Sequence, residues 1–195
     1  MDRWQKIALG SLVYNVVFST YHLIFGIVTK SWWLLTLGTY YFILGAVRFF
    51  VLRGKKSQGF SMRFTGAMLM ALSVPLAGTV ILSVLRDRGH VYHIIVMLAI
   101  AVYAFTKITL ATINLIKSRH SVSAKVVTLR NISFADAFVS IFALQRSMLV
   151  SFEGMTESEI QIMNAVIGFA VCVVVFLLGL RLWRRWDLSS VGSEK

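Results

Sequence analysis

The stretch FADAFVSIFALQRS, residues 134–147, is apolar enough to belong in a bilayer, yet it carries Asp136 and Arg146. If it spans a membrane, a carboxylate sits in hydrocarbon and needs a partner from another helix. A lone charge at mid-bilayer costs at least about 2.5–3.5 kcal/mol on insertion scales. The rest of the chain makes a span the economical reading. Of its 195 residues, 57% are hydrophobic and only 14% charged, where soluble domains average about a quarter charged. The mean hydropathy is +0.76.

A span takes about 20 apolar residues. Runs of that kind fall at about 7–28, 32–52, 62–85, 92–116, 126–150 and 160–182, separated by TKS, RGKKSQG, RDRGH, KSRHSVSAK and EGMTESE. The first run is longer than the apolar core of a cleavable leader. Irregular backbone cannot face lipid, and the runs are too long for barrel strands. The fold class expected is therefore all-α integral membrane: a six-helix bundle forming a single membrane domain over residues 1–195. Outside the spans, thirteen Lys and Arg lie on the side of the two termini and three (Lys30, Arg86, Arg88) on the other. The positive-inside rule then puts both termini in the cytoplasm. Trp32 and Trp33 fall at the expected outer interface, and Trp183 and Trp186 at the inner one, as aromatic belts require. The net charge of +12 is explained by this topology, so nucleic acid is not an expected partner; the lipid bilayer is.

Spans four and five form a hairpin with a short loop, in which residues of equal depth have numbers with a constant sum. Lys107 and Asp136 place the turn centre at 121.5, inside KSRHSVSAK. An ion pair between them is the central structural expectation, because pairing removes much of the insertion cost. Arg48, Arg130 and Arg146 lie nearer span ends and are expected to snorkel to the headgroups.

Polar residues line particular faces. Ser133, Asp136, Ala137, Ser140, Ser147 and Ser151 share one side of span five, while Phe134, Phe138, Ile141 and Met148 read as its lipid side. On span one Ser11, Asn15, Ser19, His22 and Gly26 fall within an arc of about 80°. Tyr103, Lys107 and Asn114 share a face of span four. Asn164, Gly168, Cys172 and Gly179 give span six a small-residue face suited to packing. Such stripes either pack helices closely or line a wet passage. Pro75, the only proline, interrupts the hydrogen bonding of span three and is expected to kink it. Spans two and five also align at an offset of 92, TLGTYYFILGAVRFFVL over TLRNISFADAFVSIFAL, the mark of a 3+3 inverted repeat.

Known catalytic signatures do not occur: no phosphate-binding glycine loop, HExxH, paired cysteines or GxSxG. An enzyme is disfavoured and no cofactor is expected. His90 and His93, with His22, form the weak metal candidate. Cys172 is the lone cysteine, which excludes an intrachain disulfide.

The segment SWWLLTLGTYYFILGAVRFFVL, residues 31–52, resembles a segment of small multi-pass bacterial membrane proteins of unassigned function. The resemblance implies a bacterial cytoplasmic membrane and no particular activity. Two functions fit the residues. One is a transporter or channel for a small solute or ion, using Asp136, Lys107, Asn15, His22, Asn114 and Ser140. The other is a non-transporting subunit, assembly factor or sensor whose charge pair is structural. So small a bundle suits a homodimer or an unidentified membrane partner.

Overall fold

The computed structural model describes residues 3–53, 58–85, 94–117, 123–151 and 155–191. Six helices follow in order: α1 (Arg3–Val28), α2 (Trp32–Arg53), α3 (Gln58–Leu85), α4 (Ile94–Lys117), α5 (Ala124–Ser151) and α6 (Glu157–Val191). Each is long and apolar enough to cross a membrane, as in a multi-pass integral membrane protein, and the described residues contain no strand. Helix α6 runs on to Val191, past the expected end at 182. The apolar run measures bilayer thickness, whereas a helix stops only where capping stops it. Its start is well marked. Thr156 N–H donates to Glu159 Oε2 at 2.8 Å and Glu159 N–H donates back to Thr156 Oγ1 at 3.4 Å, a capping box.

Helices α1 and α2 form a tight hairpin. Lys30 adopts the left-handed φ of 53° that ends α1, and Ser31 N–H donates to Gly26 O at 3.0 Å. Glycine is required at two crossings here. A Cβ on Gly26 would stand 2.9 Å from Leu35 N, and one on Gly38 would stand 3.0 Å from Leu23 N. That close approach lets Ser19 Oγ on α1 donate to Gly38 O on α2 at 2.8 Å. Helices α4 and α5 make the second hairpin, and α3 packs along α6. There a Cβ on either Gly66 or Gly179 would meet the other's carbonyl at 2.8 Å. The small-residue face of α6 is thus a packing seam, with Asn164 and Cys172 also buried. Helix α3 continues unbroken through Pro75.

Helices α2 and α5 are the most enclosed, with 56% and 67% of their apolar windows buried. Their Leu37, Tyr41, Leu44, Ile132, Val139 and Phe142 meet Leu69 of α3 and Val175 of α6 in the main core. The outward faces of α1, α4 and α6 stay apolar, with Ile24, Phe105 and Phe169 among many exposed side chains. A soluble protein rarely shows so much contiguous apolar surface; a bilayer covers it. On α5, Met148 is exposed as expected, but Phe138 packs partly into the core.

Two interface expectations need correcting. Trp32 is exposed, but Trp33 is buried and sets its ring edge against Phe142 at 5.4 Å between centroids. Arg146 does not snorkel: it is 4% exposed, with its guanidinium 4.4 Å from the Trp33 ring centroid. At the other end, Trp183 lies under the Arg63 guanidinium at 4.6 Å; the Trp186 side chain is outside the described residues.

Candidate functional site

The polar stripes converge. Asp136 on α5 is fully buried, and its Oδ2 faces three helices at once. Lys107 Nζ on α4 lies 2.5 Å away, so the pair derived from the hairpin is present. Asn15 Nδ2 on α1 donates to the same oxygen at 3.1 Å. The fourth helix supplies the group that was not foreseen: Arg48 on α2 is 1% exposed, with an η-nitrogen 3.3 Å from Oδ2. Arg48 therefore corrects the snorkelling expectation.

Arg48 and Arg146 turn inward for one reason. In an α-helix the Cα–Cβ bond tilts toward the N-terminus. Arg48 and Arg146 lie near the C-terminal ends of α2 and α5, so their side chains start out toward mid-membrane. Snorkelling to the nearer interface would run against that tilt. Arg130, near the N-terminal end of α5, starts toward the nearer interface and is only half-buried.

A ring of neutral groups holds the charges. Arg48 donates to Ser11 Oγ, and at 3.3 Å to Ser133 Oγ. Lys107 Nζ also donates to Asn15 Oδ1, which accepts the Tyr103 hydroxyl at 3.3 Å. Asn15 thus bridges both signs, its amide nitrogen on the carboxylate and its oxygen on the ammonium. Asn114 Nδ2 donates to Ser133 Oγ at 3.3 Å, one contact away from the centre. Ser140 Oγ donates to the backbone oxygen of Asp136 at 2.7 Å, and pairs with Tyr41 Oη at 3.0 Å. Asp136 Oδ1, by contrast, is buried and receives no hydrogen bond from any described residue.

His22 stands apart. Its Nδ1 makes its 3.0 Å contact with Phe18 O on its own helix, and its ring lies against Phe18 at 4.1 Å between centroids. His90 and His93 lie outside the described residues, within which no three His, Cys, Asp or Glu come together.

The rings beside the charges form a wall. Phe18 stacks on Tyr103 at 3.4 Å between centroids, and Tyr14 stacks on Tyr103 at 5.1 Å. Lys107 Nζ stands 5.1 Å from the Tyr103 ring and 5.8 Å from that of Tyr14, within range of cation–π attraction. On the other side of Tyr14 and Phe18 a groove of about 480 Å³ opens laterally between α1 and α4. A smaller pocket of about 40 Å³ lies between α2 and α3, beside Pro75.

Tyr41, Ser11 and Arg48 were missed from the sequence. The stripe on α1 already contained Ser11; the side-chain tilt of Arg48 was the overlooked signal. The chain matches no protein-family model and no curated protein.

Proposed function

We propose that this protein is a small transporter or channel for a small solute or ion, with the polar centre of α1, α2, α4 and α5 as its binding site. One observation carries the reading: among the described residues a single carboxylate at the centre of the bundle faces two cations, Arg48 and Lys107. A pair kept only to fix helix register is best balanced, because uncompensated buried charge is strongly destabilising. A cluster one positive charge in excess suits a site that an anionic ligand, or the release of a proton, completes. Lys107, on a flexible four-carbon stem, is the mobile member. Asp136, Asn15 and Ser140 are the fixed ones; Asn114 sits one contact further out, through Ser133, and His22 stands apart on α1. The membrane is a bacterial cytoplasmic one, with both termini inside.

The second reading is a non-transporting subunit, assembly factor or sensor. The tight stack of Phe18 on Tyr103 favours it, since that wall separates the charges from the lateral groove. Flux decides between them. Protein reconstituted in liposomes should carry protons, alkali cations or small anions, and a still-folded Asp136→Asn variant should lose that flux. Equal flux in protein-containing and empty liposomes across this panel would favour the second reading.

A further inference from the structure

The centre has a charge excess that no other acidic side chain among the described residues cancels. Asp136 is one of eight acidic residues; of the others, the two whose side chains are described, Glu157 and Glu159, are exposed in the first turn of α6. Arg48 and Lys107 therefore share one negative charge inside the bundle. The donors are also lopsided: Asn15, Arg48 and Lys107 all point at Oδ2, while Oδ1 is buried without a hydrogen bond from any described residue. A bound cation would raise the excess. A halide would balance the charge and leave Oδ1 without a donor.

We infer that the occupant of this centre is a small monoanion that also carries a hydrogen-bond donor, such as a singly protonated oxyacid. Its negative oxygens lie against Arg48 and Lys107, and its hydroxyl donates to Asp136 Oδ1. Lys107 turns on its stem to admit it. Buried charges are retained where they are paired, and buried acceptors where they are bonded; this class of ligand does both. The inference rests on the transport reading in treating the centre as a binding site, and it fixes the sign and chemistry of what binds.

The test uses two planar monoanions of similar size, one with a hydroxyl and one without. Binding of bicarbonate and of nitrate to the purified full-length protein is measured calorimetrically, near pH 8 and at constant ionic strength. Bicarbonate should bind at least about tenfold more tightly than nitrate. Lys107→Met balances the charges and should abolish binding of both. Asp136→Asn removes a negative charge and the carboxylate acceptor, so nitrate should tighten and the preference for bicarbonate should disappear. If Asp136→Asn does not fold, the wild-type preference and Lys107→Met still decide. Absence of bicarbonate binding, equal binding of the two anions by the wild type, or undiminished binding by Lys107→Met overturns the inference. Binding without flux would leave the site standing and sink the transport reading. Cation flux indifferent to both anions would do the reverse.

Discussion

Removing the two members of the Lys107–Asp136 pair should have very unequal consequences, because the pair is part of a trio. Both cations contact Asp136 Oδ2, at 2.5 Å and 3.3 Å. They are therefore no further apart than these two distances added together, about 5.8 Å. At an effective dielectric constant of about 20, their repulsion is at least about 3 kcal/mol, against attractions to the carboxylate of about 6.6 and 5 kcal/mol. Lys107→Met gives up the larger attraction but relieves the repulsion and removes a buried ammonium worth about 3 kcal/mol on insertion scales. The terms nearly cancel, leaving a net change within about 1–2 kcal/mol. Asp136→Asn gives up both attractions and leaves two cations facing each other. Its cost should be at least the 3–5 kcal/mol or so typical of breaking one buried pair. The assay is reversible unfolding in mixed micelles, with bicarbonate and nitrate excluded. Equal destabilisation by the two substitutions would refute the trio, since a simple two-membered pair suffers alike from losing either partner.

Other consequences can be checked in the same assay. Gly179→Ala forces a Cβ against the Gly66 carbonyl and the Met70 backbone, and should cost about 1–3 kcal/mol. Trp33→Leu and Arg146→Met should be coupled by about 0.5–2 kcal/mol in a double-mutant cycle, and an Arg146 that reached the headgroups would show no coupling. Tyr103→Phe removes one hydroxyl from Asn15 while keeping the ring stack, and should cost only about 0.5–1.5 kcal/mol.

The fold was legible because lipid imposes a simple rule: apolar runs of sufficient length become helices, and costly polar residues turn inward. Asn15 and His22 obeyed it, and both are almost fully buried. The Lys107–Asp136 pair was legible because a short hairpin fixes depth by arithmetic. Arg48 was not, because distance from the interface was weighed without side-chain direction. Its tilt carries it away from the nearer headgroups and onto Asp136. Trp33 shows the limit of belt reasoning. Adjacent residues on a helix point about 100° apart, so Trp32 can face out while Trp33 faces Phe142. His22 shares a stripe with Asn15 but lies two turns away along α1, beyond reach of the carboxylate cluster. Lateral packing of α1 against α4 had no sequence signal, since it depends on how two separate hairpins meet.

The most direct test of the central claim is whether water-borne reagents reach the buried centre. Ser133 is 8% exposed and contacts Arg48, so Ser133→Cys places a nearly isosteric thiol beside the charges. In a Cys172→Ala background that thiol is the only one in the chain. Membranes containing this variant would be treated with a small, membrane-impermeant methanethiosulfonate and the modified fraction followed over time. A site that exchanges a ligand with water must open to it, so steady modification is expected, and bicarbonate should slow it. A thiol that stays unmodified in native membranes yet reacts fully once the protein is unfolded would contradict the claim and make the centre a sealed structural cluster.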